Sequence, residues 1–377
     1  MEFLIKKEDL FNGIRIVERA TAMKGLQPVL ANILIETVDK STLRFCATDL
    51  DLTVIATVQA QVKEEGKITL PAKKLSDIVS RLSDSLVTFK LNKETNSVNL
   101  TSKNTKFDII GISASEFPPV AENIELLEEN AIEIDVKPFT KAIRQAGFAA
   151  AGYESNNLLS GVVCDFSESI LEMASTDGNR LARVREKIEN TERGGKTGQL
   201  IIPSKTLQEF IKMSAFIEEE RIKIFTDKTK LIIKSENTMV ISRLMEGQYP
   251  KYNQLIPQDS PKIAVVNISQ LISSLERVAI MVNERTSIVK FEFKDNKLVL
   301  TADTPDSGAS EDEIDVDYSY EEELKIAFNY RYVLDSLKNM ETTEVKIGLN
   351  TTLSATVLKP NNDEDYVCLI MPVQIRG

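Results

Sequence analysis

The sequence predicts an α+β protein of three similar domains, each made of two halves that combine one helix with several antiparallel strands. Two observations lead to this fold class. Six segments carry apolar residues at positions i, i+4 and i+7, the spacing of the buried face of an amphipathic helix. These segments recur at regular intervals, and strand-like apolar runs lie between them. The recurrence predicts an internal repeat rather than six unrelated helices.

The first helix of each repeat recurs at intervals of 129 and 132 residues, with the triplets Leu10/Ile14/Val17, Phe139/Ile143/Ala146 and Leu271/Leu275/Val278. The second helix recurs at intervals of 132 and 126 residues, with the triplets Leu75/Val79/Leu82, Leu207/Ile211/Ser214 and Val333/Leu337/Met340. A single triplet of this kind arises by chance in many globular chains. Six triplets in one order at two regular spacings indicate a true repeat.

The second helix of each repeat follows an apolar strand and a break, in "ITLPAKKLSDIV", "LIIPSKTLQEFI" and "IAFNYRYVLDSL". Pro71 and Pro203 suit a helix start, where a missing N–H costs nothing. Asn329 takes the equivalent place and is predicted to cap its helix. Two proline-containing segments with polar flanks, 115–130 and 249–262, predict the domain boundaries. The predicted domains are residues 1–125, 126–257 and 258–377.

The composition excludes most catalytic chemistry. The chain of 377 residues contains no histidine, which removes Ser-His and Cys-His nucleophile pairs and His-containing zinc sites. It also lacks glycine-rich phosphate-binding motifs, so we expect no metal and no cofactor. Cys46, Cys164 and Cys368 lie far apart in apolar runs, which predicts reduced core thiols in a cytoplasmic protein. We expect neither a signal peptide nor a membrane span.

Charge is unevenly distributed along the chain. The formal net charge of −11 by itself argues against a nucleic-acid binder. The six predicted helices nevertheless sum to +7 and leave −18 for the rest, counted over residues 8–24, 72–82, 137–151, 204–214, 268–285 and 331–338. Any one of these helices is compatible with an ordinary solvated face. Together they favour a common basic lumen that attracts phosphates.

The repeat predicts a closed, symmetric assembly. If two chains placed all their helices around one ring, with about 10 Å between axes, the circumference would be about 120 Å and the hole about 28 Å. A hole of that size admits a nucleic-acid duplex with water to spare.

Several motifs in order resemble one known family, the bacterial sliding clamps, which are the beta subunits of DNA polymerase III. The motifs are "LQPVLANI", "ATDLDL", "STDGNRLA", "EGQYPKYNQLIP", "FNYRYVLDSL" and "YVCLIMPVQI". The resemblance covers essentially the whole chain. It implies the DNA clamp fold, closed into a ring by a head-to-tail homodimer that encircles duplex DNA without reading its sequence.

The resemblance also implies a non-catalytic role. Such a clamp tethers the replicative polymerase and repair proteins for processive synthesis, and a clamp loader opens and closes it using ATP. The implied partners are the DNA polymerase III alpha subunit, the clamp loader, other polymerases and repair proteins, and no membrane. These proteins dock through short linear motifs of a Gln-Leu-x-Leu-Phe type.

The resemblance implies a peptide-binding pocket between the second and third domains. Its residues are Leu159, Thr176, Gly178, Asn179, Arg180, Leu181, Pro250, Gln254, Leu255, Asn329, Tyr332, Leu353, Ala355, Leu369, Ile370, Met371, Pro372 and Val373. The apolar members would hold a leucine or phenylalanine anchor, while Arg180 and Asn329 would orient the peptide backbone. From the residues alone, the apolar tail "YVCLIMPV" is more typical of a final buried strand, and "TDGN" is typical of a hairpin turn.

The resemblance further implies DNA contacts at Lys24, Lys73, Tyr153 and Lys205. It implies a subunit interface in which Phe107 and Ile109, on an edge strand, meet Ile280 and Met281 of the partner. The alternative for these four apolar residues is ordinary core packing.

The chain departs from the family pattern at a few positions. The family often has a histidine at Asn179, an arginine at Gln254 and an aromatic residue at Thr286. We therefore expect a pocket of the same shape that binds a somewhat different peptide. Aromatic residues that family members often carry near Asn157 and Leu158 are also missing, which weakens the expected DNA contact there.

Two rival hypotheses stand beside the clamp. One is an extended repeat scaffold that binds proteins but not DNA. The other is an enzyme that uses carboxylate or lysine chemistry, to which no feature of the sequence points.

Overall fold

The computed structural model describes residues 1–22, 27–83, 85–120, 131–152, 155, 157–167, 169–188, 198–227, 229–283, 285–304 and 308–374. Within these residues the chain forms six α-helices, namely α1 (Lys7–Val17), α2 (Ala72–Ser80), α3 (Val136–Gly147), α4 (Ser204–Ser214), α5 (Ile268–Val278) and α6 (Tyr330–Lys338). The predicted order of helices along the chain is confirmed.

The strands run in antiparallel pairs between the helices. They are β1 (Glu2–Lys6), β2 (Asn32–Thr37), β3 (Thr42–Thr48), β4 (Leu52–Gln59), β5 (Gln61–Glu64), β6 (Lys67–Pro71), β7 (Leu86–Asn92), β8 (Ser97–Ser102), β9 (Thr105–Ile110), β10 (Ile132–Asp135), β11 (Gly161–Phe166), β12 (Ile170–Thr176), β13 (Arg180–Lys187), β14 (Gln199–Pro203), β15 (Arg221–Thr226), β16 (Lys230–Lys234), β17 (Thr238–Arg243), β18 (Lys262–Asn267), β19 (Ile288–Lys294), β20 (Lys297–Thr304), β21 (Gly308–Asp315), β22 (Leu324–Asn329), β23 (Glu344–Leu349), β24 (Thr356–Pro360) and β25 (Tyr366–Ile370).

The chain divides into two compact units. Unit 1 comprises Met1–Thr140, Ile188–Thr197 and Lys205–Leu244, and unit 2 comprises Lys141–Lys187, Gly198–Ser204 and Met245–Gly377. Unit 1 contains a five-stranded sheet (β5-β1-β7-β8-β9) and an eight-stranded sheet (β10-β15-β16-β17-β4-β3-β2-β6). Unit 2 contains an eight-stranded sheet (β14-β11-β12-β13-β25-β24-β23-β18) and a four-stranded sheet (β21-β20-β19-β22).

Each eight-stranded sheet joins strands from two of the three predicted domains. In unit 1, β17 pairs with β4, and in unit 2, β13 pairs with β25. An edge strand has unpaired backbone groups, so pairing two edges across a boundary satisfies both. The compact units therefore do not follow the three predicted domains, whose boundaries remain a prediction.

The predicted apolar faces of five helices are buried, as with Leu10 and Leu271, both 0% exposed. Helix α4 is the exception, because Ile211 and Ser214 are only half-buried. Its buried apolar side chains are instead Leu207, Phe210 and Met213, and Phe210 contacts the ring of Phe139 at 5.4 Å between centroids. These three residues are spaced at i, i+3 and i+6, and they lie on the same side of the helix as the predicted triplet.

Three predicted helices are too long at their C-terminal ends. Helix α1 ends at Val17 instead of residue 24, and α5 ends at Val278 instead of residue 285. In both, a short 3₁₀ turn takes over, at Glu18–Ala20 and Ala279–Met281. Helix α3 ends at Gly147 rather than residue 151. With the observed bounds the helices carry a net +6 and the rest of the chain −17.

The predicted helix starts differ in detail. Asn329 caps α6 as predicted, because its side-chain oxygen accepts a hydrogen bond from the N–H of Arg331 at 3.0 Å. Pro71 is the N-cap residue of α2 and the last residue of β6, rather than the first helical residue. Pro203 likewise ends β14, one residue before α4.

Candidate functional site

A tight hairpin turn joins β12 to β13 in unit 2. The carboxylate of Asp177 accepts hydrogen bonds from the backbone N–H groups of Asn179 (2.9 Å) and Arg180 (3.0 Å). The hydroxyl of Thr176 donates to the carbonyl of Arg180 (2.6 Å) and accepts from the N–H of Gly178 (3.1 Å). Gly178 has φ of +91°, in the left-handed region that favours glycine. The hairpin expected from "TDGN" is confirmed.

Arg180 is held on several sides at the end of this turn. Its Nε donates to Asp177 (3.0 Å) and its Nη1 donates to Asp335 (2.6 Å). The guanidinium also lies over the ring of Tyr332, 4.6 Å from the centroid, and 5.4 Å from that of Phe148. A planar cation with two carboxylates and two ring faces has little freedom to move. The guanidinium of Arg180 is therefore held in one position beside the turn.

An apolar cluster lies next to the side chain of Arg180. Leu181 and Leu369 face each other across the β13–β25 ladder and are 3% and 5% exposed. The buried members of the cluster are Val163, Ala174, Leu181, Ile201, Tyr249, Tyr252, Val357, Val367 and Leu369. Leu158, Leu159, Met245 and Ile256 pack against it and remain partly exposed. The predicted residues Leu159, Leu181 and Leu369 thus lie together, whereas sequence reasoning missed Leu158 as an apolar contributor, and Met245 and Ile256 altogether.

Two tyrosines anchor the segment that contains Pro250, Gln254 and Leu255. The hydroxyl of Tyr249 donates to the carbonyl of Gly161 and accepts from the N–H of Thr176, both at 3.2 Å. Burial raises the pKa of Tyr249 to about 12. The anchoring leaves Pro250, Gln254 and Leu255 exposed, Leu255 to 56%.

Tyr252 is tied to a carboxylate on β12. Its hydroxyl donates to Glu172 at 2.6 Å, and Arg185 donates to the other oxygen of Glu172 at 2.5 Å. Burial disfavours the ionised carboxyl, but the hydrogen bonds from Tyr252 and Arg185 outweigh it and hold the pKa of Glu172 below its ordinary value. Burial, together with the hydrogen bond to Glu172, raises the pKa of Tyr252.

The C-terminal tail combines a buried strand with an exposed end. Every residue of β25 is buried, including Ile370 at 1% exposure, as the final-strand alternative predicted. Beyond it, the N–H of Met371 donates to the carbonyl of Asn179, and that of Val373 to Ala327, each at 2.8 Å. Met371 is 43% exposed, while Pro372 and Val373 are half-buried. Among the predicted pocket residues 369–373, Met371 is therefore the most accessible to a ligand.

The remaining predicted pocket residues differ in accessibility. Ala355 is half-buried. It directly precedes Thr356, which pairs with Ile370 at the end of the β24–β25 ladder. Leu353 is 59% exposed on the turn before β24. The side-chain oxygen of Asn329 accepts the capping hydrogen bond of α6, and its amide nitrogen is the group that could donate to a peptide.

The predicted DNA contacts are only partly visible. Lys73 is exposed in the first turn of α2. Lys205 forms an ion pair with Asp49 at 2.5 Å, which was not expected. Lys24 and Tyr153 lie outside the described residues. Lys74, Lys137 and Arg144 are also exposed on helices; they were counted in the basic charge of the helices but are not among the DNA contacts that the resemblance implies.

The predicted interface residues lie beside sheet edges. Strand β9 is the edge of the five-stranded sheet, but Ile109 is 2% exposed and faces the core, whereas the next residue, Ile110, is 77% exposed. Side chains alternate along a strand, so a one-residue shift exchanges the faces. Phe107 is half-buried. Ile280 is 78% exposed and Met281 half-buried, on a turn that packs against β20 and the edge strand β21.

The described residues hold no cluster of three or more His, Cys, Asp or Glu side chains that could bind a metal. All three cysteines are free and buried. Burial raises the pKa of the Cys46 thiol to about 12 and that of Cys368 to about 11, so both stay protonated at neutral pH. In the part of the chain that the structure describes, none of the helices has the length and apolar character needed to cross a membrane.

Comparisons with known proteins cover the whole chain. Family models for the N-terminal, central and C-terminal domains of the DNA polymerase III beta subunit match residues 1–121, 133–251 and 253–374. The beta sliding clamp of Synechococcus elongatus is 33% identical over 386 residues, and that of Bacillus subtilis 28% over 384; the matches cover 99–100% of each chain. The crystal structure of the DNA polymerase III beta subunit from Thermotoga maritima is similar with a TM-score of 0.91 at 27% identity, covering 100% of both chains.

Proposed function

This chain belongs to the DNA polymerase III beta subunit family, the bacterial sliding clamps of DNA replication, and from that premise we propose how it works. Two copies close head to tail into a ring around duplex DNA. The ring has no catalytic activity of its own. It tethers the DNA polymerase III alpha subunit, other polymerases and repair proteins, and a clamp loader opens and closes it. These partners dock by short linear motifs on the unit 2 surface described above.

The observation that carries the docking proposal is the partly exposed side of the unit 2 apolar cluster. Leu158, Leu159, Met245 and Ile256 cover the buried cluster without closing it off. An apolar anchor of a peptide gains free energy by covering such side chains. Arg180 stands beside the cluster with a fixed guanidinium, and Met371 is 43% exposed at the end of β25. An apolar surface next to the fixed guanidinium of Arg180 suits a short motif with leucine and phenylalanine anchors.

The ring proposal is supported by the two edge strands. Strand β9 ends the five-stranded sheet of unit 1, and β21 ends the four-stranded sheet of unit 2. Ile110 on β9 and Ile280 beside β21 are 77% and 78% exposed, and an interface that covered both would gain free energy from the apolar surface it buries. Pairing β9 of one protomer with β21 of its partner would cover both isoleucines and satisfy both edges. This modifies the residue set expected from the sequence, with Ile110 in place of Ile109.

The DNA proposal is supported by the charge of the helices. The helices carry +6 in a chain whose remaining residues carry −17, and Lys73, Lys74, Lys137 and Arg144 are exposed on them. Exposed cations without base-reading geometry bind phosphates irrespective of sequence. Lys205 contributes less than expected, because Asp49 already neutralises it.

Sizing tests the ring first. The full chain should elute as a dimer of about twice 42.2 kDa, and Ile110→Asp should convert it to a monomer because a buried unpaired carboxylate opposes the interface. A wild-type protein that is an elongated monomer would favour the scaffold hypothesis instead. After loading, the ring should stay on circular DNA and leave linear DNA by its ends, whereas simple electrostatic binding would treat both forms alike.

Peptide binding tests the docking surface separately. A fluorescein-labelled Gln-Leu-x-Leu-Phe peptide should bind the full chain, and Arg180→Ala combined with deletion from Met371 onward should weaken binding at least about tenfold while leaving the dimer intact. Lys290→Ala, an exposed change on β19, serves as the control. Unchanged affinity in the double variant would show that the docking surface lies elsewhere.

A further inference from the structure

Unit 1 contains a second turn with the same backbone as the turn of unit 2. The hydroxyl of Thr48 donates to the carbonyl of Leu52 (3.1 Å) and accepts from the N–H of Leu50 (3.0 Å). The carboxylate of Asp49 accepts from the N–H groups of Asp51 (3.2 Å) and Leu52 (2.8 Å). These four hydrogen bonds match those of Thr176 and Asp177 one for one. Leu50 has φ of +80°, where the unit 2 turn has a glycine.

The strands beside the two turns correspond as well. In unit 1, Leu52 faces Ser242 and Thr53 faces Ile241, as Arg180 faces Ile370 and Leu181 faces Leu369 in unit 2. The N–H of Arg243 donates to the carbonyl of Asp51 at 2.9 Å, the same bond that Met371 makes to Asn179. Arg243 is therefore the counterpart of Met371, and Thr53 of Leu181.

The counterpart region is a groove rather than a filled surface. A cavity of about 330 Å³ is lined by five apolar residues, Leu50, Pro118, Pro119, Val120 and Ile241, and by Thr48, Asp51, Thr53, Lys230 and Arg243. Its volume lies within the range of small-ligand pockets. Leu50 is 54% exposed although leucine is costly at positive φ, so the turn presents an apolar side chain to solvent at a conformational cost.

The charge of this groove differs from that of the unit 2 surface. Lys230 and Arg243 lie directly opposite each other on β16 and β17, so two like charges share one face of the sheet. Like charges directly opposite each other destabilise a sheet. Lys230 helps to lower the pKa of Asp227, so that carboxylate offsets part of its charge. Arg243 also pairs with Asp51 at 3.6 Å, but both side chains are more than half exposed, and such pairs contribute little. A carboxylate from a partner could therefore displace Asp51.

We propose that this groove of unit 1 is a second docking site, which binds an acidic peptide segment of a partner protein through one apolar side chain and the Lys230/Arg243 pair. The replacement of Leu181 by Thr53 and of Met371 by Arg243 removes the apolar surface that a Gln-Leu-x-Leu-Phe motif needs. Asp51 in the wall disfavours a continuous polyanion such as a DNA backbone, whereas a peptide can place its carboxylates away from it. The two sites would then bind different motifs.

Fluorescence anisotropy on the full chain tests this with two labelled probes, Glu-Glu-Ile-Leu-Glu and its charge-reversed form Lys-Lys-Ile-Leu-Lys. The acidic probe should bind at least about tenfold more tightly than the basic one, and the preference should weaken as salt increases. The double variant Lys230→Glu/Arg243→Glu should reverse the preference. Lys290→Glu/Lys294→Glu makes the same change in net charge on exposed residues of β19 and should leave it unchanged.

A second variant keeps the test independent of the charges. Leu50→Gly preserves the turn and removes the apolar contact, so it should weaken the acidic probe about fivefold. An unlabelled Gln-Leu-x-Leu-Phe peptide should not displace that probe. Equal binding of the two probes, an unchanged preference in the charge-reversal variant, or displacement by the Gln-Leu-x-Leu-Phe peptide would overturn the proposal. None of these outcomes would affect the unit 2 site, which is tested by its own peptide.

Discussion

The two hairpin turns, residues 48–52 of unit 1 and 176–180 of unit 2, share a backbone and differ in almost every exposed side chain. Both begin with Thr-Asp, and both use the same hydroxyl and carboxylate to satisfy the turn. The next residues are Leu50 and Asp51 in one unit but Gly178 and Asn179 in the other. The comparison shows that the Thr-Asp pair specifies this turn, whereas the residues after it can change without changing the backbone.

The strand pairs next to the two turns likewise share their register but differ in their side chains. In unit 2 the pair Leu181–Leu369 extends the apolar cluster to the accessible side, whereas in unit 1 the corresponding pair is Thr53–Ile241. In the proposed docking surface of unit 2, the apolar pair would contact an apolar anchor. In the proposed site of unit 1, the threonine leaves the neighbouring charges a larger share of the binding.

The largest expected difference between the units concerns this ladder position. Leu181→Ala should lower the free energy of unfolding by about 2–5 kcal/mol, because it opens a cavity in a buried cluster. Thr53→Ala should cost only about 1 kcal/mol, chiefly the hydrogen bond between the hydroxyls of Thr53 and Thr48. Chemical denaturation followed by circular dichroism measures both. Equal losses would mean that the two ladder positions are not functionally distinct.

The next largest effect concerns Glu172, for which unit 1 has no equivalent. Glu172→Gln should cost about 1.5–3 kcal/mol at neutral pH, since it weakens two hydrogen bonds to a charged group. The pKa of Glu172 is lowered in the folded state, so its contribution is present above the ordinary value of 4.5 and is lost as pH falls through the folded-state pKa. The difference in unfolding free energy between wild type and variant should therefore shrink below about pH 4.5.

A double-mutant cycle with Tyr252→Phe provides the control for Glu172. The two residues share one hydrogen bond, so the double variant should lose less than the sum of the single losses. Strict additivity, or a difference that does not change with pH, would mean that Glu172 acts elsewhere than on the Tyr252 segment. In unit 1 the residue four positions before the turn is Arg44 instead of a glutamate, so no such coupling is expected there.

A smaller effect is expected from exchanging the turn residues at positive φ. Gly178→Ala should cost about 1–2 kcal/mol through backbone strain alone, since nothing lies within 4 Å of the added Cβ. Leu50→Gly should instead stabilise the protein by up to about 1 kcal/mol, because relieved strain exceeds the added freedom of the unfolded chain. Denaturation midpoints measure both. A destabilising Leu50→Gly would show that the leucine side chain packs usefully in the free protein.

The smallest effects concern the hydroxyls that bridge the two turns. Thr48→Val and Thr176→Val should each cost about 1 kcal/mol for the lost turn hydrogen bonds, and Thr48→Val should cost somewhat more because it also loses the hydrogen bond to the hydroxyl of Thr53. Both threonines are buried, at 4% and 6% exposure, so the two environments are matched. A loss confined to one unit would argue that the shared turn geometry has different origins.

Much of the fold could be predicted because local patterns carry it. Apolar triplets such as Leu10/Ile14/Val17 predicted where the helices lie, and Asn329 was correctly predicted as the N-cap residue of α6. Helix ends were less predictable, because the change to a 3₁₀ turn after Val17 or Val278 leaves no clear sequence signal. Position along an edge strand was also uncertain, since a shift of one residue exchanges Ile109 and Ile110 between core and solvent.

The candidate site was predictable in its membership more than in its geometry. The motif resemblance named Leu159, Leu181 and Leu369, which lie together in the structure. It did not indicate that Arg180 would be engaged by Asp177 and Asp335, or that Lys205 would pair with Asp49. The pairs Arg180–Asp335 and Lys205–Asp49 join residues 155 and 156 positions apart, and no periodic pattern encodes them. Asp177 lies only three residues from Arg180, but the turn motif does not show which way the guanidinium points.

The sequence by itself determined the helices, the turns and the internal repeat, because these depend on hydrogen bonds and apolar spacing within a few residues. Only the tertiary structure decided which edges pair, as when β13 joins β25 and β4 joins β17. Those pairings bring Leu181 beside Leu369, and Thr53 beside Ile241, across 188 positions in each case. The physical reason is that strand edges satisfy their backbone groups with any compatible partner, and the choice rests on how whole sheets pack.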